Sequence, residues 1–223
     1  MSSPIKILLV DDHQVILEGL KNLLNKENYE IETSNSCDEA FSFLKSSKKT
    51  DPFHIVFTDL SFDDDNTSEI SGGEQLIKKI KEVGFSTKVG VITGHSEINR
   101  VYSVIHNYNP SAYILKGKCS SEDLDFAIQK MLKEEVFYTH EIHQKLLKRA
   151  LVEIHMDDIA IQILNEIPKH PKINNLEGVV KKEDGTFVKS RTIENKLAKL
   201  RIDFNAKNNT DLVIKAKEYG IID

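Results

Sequence analysis

The chain has 223 residues, room for one large domain or two small ones, and its 39% hydrophobic and 29% charged content is too apolar for a disordered protein. No apolar run approaches the ~20 residues that cross a bilayer, and the opening Met1-Ser2-Ser3-Pro4 lacks the apolar core of a signal peptide. Two cysteines, Cys37 and Cys119, have no metal-type spacing, which points to a reduced, cytoplasmic setting.

The net charge of -5 is unevenly spread. Residues 1–130 carry 14 basic and 20 acidic side chains, whereas the stretch from Lys169 to Lys217 carries 12 basic and six acidic ones. An acidic front and a basic back predict two domains with different partners.

In chain order, short β-rich runs alternate with amphipathic helices over the first ~130 residues, the pattern of a doubly wound parallel sheet. The predicted strands are 5–10, 29–33, 54–58, 88–93 and 112–115, five in all, and all but the second read as largely apolar, doubly covered runs. Ile16, Leu20, Leu23 and Leu24 recur at helical spacing, as do Ile98, Val101 and Ile105, and Leu124, Ala127, Ile128 and Met131. Lys133 to His155 reads as a polar, helical linker with a Tyr-Thr-His interruption. Beyond it, Ile159, Ile163, Leu164 and Ile167 predict a helix stopped by Pro168 and Pro171. Val179 to Val188 predicts a hairpin on the Asp184-Gly185 turn. A helix opening at Ser190 as N-cap buries Ile193, Leu197, Leu200 and Phe204, and a last helix holding Leu212, Ile214 and Ala216 ends at Gly220.

Asp11 and Asp12 follow the first strand and Asp59 the third, strand ends that are neighbours in this topology. Three carboxylates in one crevice repel unless a hard cation joins them, and Mg²⁺ with oxygen ligands fits. Thr93 and Lys116, at two further strand ends, add a hydroxyl and an ammonium. A carboxylate nucleophile, a divalent ion and a lysine suit phosphoryl transfer, in which charge stabilisation carries most of the catalysis.

With Leu8-Leu9-Val10-Asp11-Asp12, Val56-Phe57-Thr58-Asp59-Leu60, Val91-Ile92-Thr93-Gly94 and Tyr113-Ile114-Leu115-Lys116 in order, residues 5–133 resemble the flavodoxin-like receiver domain of two-component response regulators. The resemblance implies that Asp59 takes phosphate from a sensor histidine kinase. It implies Mg²⁺ held by Asp12, Asp59 and the Ser61 backbone carbonyl with help from Asp11, Lys116 paired to the phosphoryl group and Thr93 hydrogen-bonded to it. Tyr113 stands at the aromatic switch position, and the only enzymatic activity implied is Mg²⁺-dependent self-phosphorylation and dephosphorylation at Asp59. The chain departs from the pattern after Asp59. Phe62-Asp63 replaces the usual Met-Pro, Gly72-Gly73 comes only after an acidic stretch from Asp63 to Glu69, and Gly117 replaces a proline. Asp63, Asp65, Thr67, Glu69 and Glu74 fall at calcium-loop spacing, but Ser68 stands where that turn needs Gly, so the stretch is read as a solvated loop.

Ser190 to Arg201, followed by Ala206 to Thr210, resembles the recognition helix of the LuxR-type helix-turn-helix and the loop behind it, although the Leu-Thr-x-Arg-Glu opening is absent. Arg191, Asn195, Ala198 and Ile202 face away from the buried stripe, with Glu194 and Lys199 beside them. Asn195 suits adenine and Glu194 cytosine in a major groove, Ala198 shares that face, and Ser190, Arg191, Thr192, Lys199 and Lys207 suit phosphates. The expected organisation is therefore a receiver over 1–133, a linker over 134–155 and a small, mainly helical helix-turn-helix output domain over 156–223. The expected function is a phosphorylation-controlled transcriptional regulator that dimerises on double-stranded DNA and needs no membrane. An output domain that binds a protein partner is the alternative. A haloacid-dehalogenase-type phosphatase is discounted, because Asp11-Asp12-His13 lacks the Asp-x-Asp it requires, and His140-Glu141-Ile142-His143 is one residue short of a zinc-protease string.

Overall fold

β1 (Ile5–Val10), β3 (Ile55–Thr58), β4 (Lys88–Thr93) and β5 (Ala112–Leu115) are runs whose residues are nearly all buried, while β2 (Tyr29–Ser34) alternates buried and exposed positions. Doubly covered strands in the middle and a one-sided strand at an edge follow directly. The computed structural model describes residues 3–47, 51–63, 68–170 and 172–222. Asp64, Asp65, Asn66 and Thr67 of the acidic stretch, and Pro171, lie outside the described residues.

Helices α1 (Gln14–Leu23), α2 (Cys37–Ser46), α3 (Gly73–Val83), α4 (Ile98–Tyr108) and α5 (Ser121–Leu132) alternate with these strands. Local chemistry sets their ends. Ser36 caps α2 by accepting from the Glu39 N–H at 3.2 Å, and Ser120 and Asp123 form a reciprocal capping box on α5. Gly84, at φ 77, turns the chain out of α3.

Among the described residues the sheet has six strands in the order β2-β1-β3-β4-β5-β6, all pairs parallel, which corrects the expected five. The sixth, β6 (Phe137–Tyr138), lies in the stretch expected to be helical linker. Glu134, at φ 62, reverses the chain after α5 and presents Phe137 and Tyr138 to the free edge of β5. The helical part of that stretch is α6 (His140–Glu153).

The chain divides into two compact units, Met1–Ser96 with Ser103–His143, and Glu97–Tyr102 with Gln144–Asp223. In the first, Ile7, Leu9, Phe57, Ile114, Leu124 and Ile128 belong to a buried core between sheet and helices. In the second, α7 (Asp158–Glu166), α8 (Ser190–Asp203) and α9 (Asn209–Glu218) enclose Ile163, Leu164, Ile193, Leu197, Leu200, Phe204, Leu212 and Ala216. The expected hairpin forms: Lys181 and Phe187 are bridged, Lys182 and Thr186 pair at 2.9 Å, and Gly185 takes φ 79. Gln162 of α7 holds it by two bonds to the Lys181 backbone, at 2.9 and 3.0 Å. The expected cap of α8 differs. Ser190 is the first helical residue rather than the N-cap, because its N–H (3.1 Å) and hydroxyl (2.5 Å) both go to the Glu177 carboxylate.

Candidate functional site

Parallel register brings the chemistry together. Val10 lies opposite Thr58, Thr58 opposite Val91, and Thr93 opposite Leu115, so Asp11, Asp59, Thr93 and Lys116 leave four adjacent strands at the same end. Gly73, at the start of α3, packs on the back of this site so closely that an added Cβ would lie 1.7 Å from the Asp59 carbonyl oxygen.

Lys116 Nζ sits between two carboxylates, 2.5 Å from Asp11 Oδ2 and 2.8 Å from Asp59 Oδ2. Burial works against the Lys116 charge, but the hydrogen bonds of Asp11 and Asp59 outweigh it and hold its pKa above the ordinary value. Asp59 Oδ1 accepts from the Leu60 N–H at 2.6 Å, and Asp11 Oδ1 from the His13 N–H at 3.1 Å. Asp12 joins the rim: Oδ1 is 2.7 Å from His13 Nδ1 and Oδ2 accepts from the Asp63 N–H at 2.8 Å. The Asp12 hydrogen bond is the main reason His13 titrates above its usual value.

The donor set fits a hard divalent ion. Asp11 and Asp59 are 2% and 7% exposed, so two buried carboxylates share a single ammonium and retain a net negative charge that a cation relieves. Among the described residues, the group of three or more candidate ligands close enough to share an ion is Asp11, Asp12 and His13, within 4.8 Å.

Thr93 is fully buried and its hydroxyl accepts from the His95 N–H at 3.4 Å. Tyr113 is also fully buried, its ring inward and its hydroxyl donating to the His95 carbonyl at 3.1 Å. His95 Nε2 lies 2.8 Å from Ser61 Oγ. The sequence pattern does not mark His13, His95 or Gly73 as site residues. Their only sequence signal is position, directly after the acidic pair, two residues after Thr93, and inside a late Gly-Gly. Cys37 stays outside the chemistry: burial pushes its thiol up to about 12, and Cys119 rises to about 11 for the same reason.

In the second unit, Arg191, Thr192, Glu194, Asn195, Ala198 and Lys199 all lie exposed on α8, Arg191, Asn195 and Ala198 opposite the buried stripe and the others on its flanks, and Ile202 continues the outer face at 78% exposure. Lys207 is exposed in the turn before α9. Ser190 is half-buried and committed to Glu177, whose carboxylate is held below its usual range chiefly by that hydroxyl.

Residues 7–129 match the family model of the response regulator receiver domain. Response regulator protein VraR of Staphylococcus saprophyticus is 23% identical over 98% of this chain and 99% of its own. Oxygen regulatory protein NreC of Staphylococcus haemolyticus is 24% identical, again over 98% and 99%. Among solved structures, RcsB dimers bound to two parallel DNAs share the fold, with a TM-score of 0.63 and 17% identity over 97% of this chain and 99% of that one.

Proposed function

Because the chain belongs to the response regulator receiver family and is homologous to transcriptional regulators, we propose that Asp59 is its phosphoacceptor and that α8 of the second unit reads double-stranded DNA. The observation that carries the first half is Lys116 between Asp11 and Asp59 at the carboxyl ends of β1, β3 and β5.

An Asp59 carboxylate oxygen attacks the phosphorus of a phosphohistidine on a sensor kinase. The new O–P bond forms as the N–P bond breaks, and the imidazole leaves with a proton. Lys116 transfers its pairing from the Asp59 carboxylate to the incoming phosphoryl oxygens, and the Thr93 hydroxyl donates to another. Asp12, Asp59 and the Ser61 carbonyl, assisted by Asp11, would hold Mg²⁺, which supplies neutralising charge for the phosphoryl oxygens. Asp59 regains a free carboxylate by hydrolysis.

Asn195 is suited to adenine and Glu194 to cytosine, with Ala198 on the same face. Arg191, Thr192, Lys199 and Lys207 are suited to phosphates, as Ser190 would be once Glu177 releases it. A homodimer formed on phosphorylation would set two such helices about one DNA turn apart. Ile202, an exposed apolar residue on the α8 face, favours a second reading in which this face binds a protein.

Acetyl phosphate with Mg²⁺ should add one phosphoryl mass to the intact chain and none to Asp59→Asn. Binding to promoter fragments should weaken steeply with salt, and Lys199→Ala should reduce the salt slope by about one. No added mass refutes the first half, and salt-independent binding refutes the second.

A further inference from the structure

β6 joins the site to the chain that leaves the first unit. The Phe137 N–H donates to the Ser111 carbonyl at 2.9 Å and the Thr139 N–H to the Tyr113 carbonyl at 3.2 Å, with Tyr138 directly opposite Tyr113. Thr139 in turn accepts from the His143 N–H at 3.1 Å and so closes the first turn of α6. At its other end Tyr113 is tied to the site: its hydroxyl holds the His95 carbonyl, and the His95 N–H holds the Thr93 hydroxyl. One chain of hydrogen bonds therefore runs from Thr93 through His95 and Tyr113 to the start of α6.

β6 is also built to dock weakly. Two residues on a sheet edge make few bonds. Its side chains add an edge-on contact of Phe137 with Phe126 on α5, ring centroids 5.7 Å apart, packing of Phe137 on the rim of the core, a contact of Tyr138 with the His143 ring at 5.7 Å and a long 3.5 Å hydrogen bond from the Tyr138 hydroxyl to the Pro110 carbonyl. Docking also leaves the Thr139 hydroxyl buried without a hydrogen-bond partner. A segment with few bonds and an unsatisfied polar atom belongs to the low-stability end of a fold, where two-state elements are found.

We propose that β6 is a reversible strand latch whose pairing with Tyr113 on β5 is coupled to phosphorylation of Asp59. A phosphoryl group that takes the Thr93 hydroxyl alters the His95 loop and the seat of Tyr113, and Thr139 follows. The docked strand occurs together with the inward Tyr113 ring, so the state that favours one favours the other. By reciprocity, docking of β6 strengthens the site's hold on a phosphoryl group by the same factor. The inference rests on the phosphoacceptor reading above.

The test is amide exchange of the full chain with and without beryllofluoride and Mg²⁺. Beryllofluoride should slow exchange at Phe137 and Thr139 by about fivefold or more, the lower end of ordinary coupling. Thr139→Pro removes the donor to Tyr113 next to a helix start that tolerates proline. It should leave Phe137 exchanging fast in both states and weaken beryllofluoride binding by about the same factor. Thr139→Val keeps the donor and removes the orphan hydroxyl, so it should bind at least as tightly as the wild type. Phe137→Ala, which weakens docking through the side chain alone, gives the same direction should the proline variant fail to fold. Beryllofluoride bound with unchanged exchange, or undiminished binding by Thr139→Pro and Phe137→Ala, overturns the latch. A wild-type chain that binds no beryllofluoride overturns the phosphoacceptor reading and the latch with it.

Discussion

Ser61 Oγ and His95 Nε2 lie 2.8 Å apart, so the loop two residues beyond Asp59 is fastened to the loop two residues beyond Thr93. The fastening ties together the two loops that flank Asp59, the proposed phosphoacceptor, and on that reading it should restrict the approach of water to a phosphoryl group there. His95→Ala should hasten hydrolysis of the phosphorylated chain by about fivefold, the rate equivalent of one net hydrogen bond of roughly 1 kcal/mol. Labelling by acetyl phosphate should be no slower. Phosphate release after removal of the donor measures this, and a wild-type lifetime in the variant refutes it.

Gly73 has no room for a side chain. A Cβ there would lie 1.7 Å from the Asp59 carbonyl oxygen and 2.8 Å from its carbon, both backbone atoms that no rotamer change can move aside. Gly73→Ala should therefore cost about 2 kcal/mol of stability by overpacking. It should also displace Asp59 enough to reduce acetyl phosphate labelling. Gly117→Ala, where nothing lies within 4 Å of the added atom, should stay within about 0.5 kcal/mol of the wild type. Thermal melts of both variants decide it; equal melting points would show that α3 can shift freely.

Periodic features were legible in the sequence because burial imposes them. The apolar runs of β1, β3, β4 and β5 are continuous because both faces are covered, Asp11 and Asp59 stand directly after two of those runs, and the α8 stripe from Ile193 to Phe204 recurs every three to four residues. Features decided by one long-range partner were not. Phe137 and Tyr138 are too short a run to announce a strand and take that state from the open edge of β5. Ser190 has N-cap chemistry, yet Glu177, thirteen residues upstream, takes both of its donors. His95 shows no pattern at all, since its role depends on where the Ser61 loop folds back. Gly73 was visible as a glycine, but its reason, the Asp59 carbonyl, was not.

Asp59 and Asp11 share Lys116, so the metal-free site carries one negative charge more than it neutralises, even before Asp12 is counted. Asp59→Asn removes the surplus and should raise stability in chelator by about 1 kcal/mol, a rise of roughly 2–4 °C in melting temperature for a chain of this size. Magnesium should raise the melting temperature of the wild type, by linkage to binding, and of Asp59→Asn much less. Melts with and without magnesium test both statements. A metal-free variant no more stable than the wild type would show that Lys116 alone balances the pocket.

Asp157 does two things at the start of α7: its Oδ1 accepts from the Ala160 N–H at 2.8 Å, and its other oxygen binds the Lys196 ammonium from α8. Burial opposes its charge, but the Lys196 hydrogen bond and the Ala160 N–H outweigh that and hold its pKa below the ordinary carboxylate value. A carboxylate depressed in the folded state stabilises at pH values above its unfolded pKa, about 4, and the contribution disappears as pH falls through the lower folded value. Asp157→Ala should therefore cost about 1 kcal/mol at pH 7, the usual worth of an N-cap. The difference from the wild type should shrink below pH 4. Asp157→Asn, which keeps the cap acceptor and loses only the partly exposed ion pair, should cost a few tenths of that. Native-state amide exchange at Leu197 and Leu200, buried in the second unit, reads these differences at each pH. A gap between wild type and Asp157→Ala that stays constant from pH 7 to 3 would mean that the carboxylate charge contributes nothing to the cap.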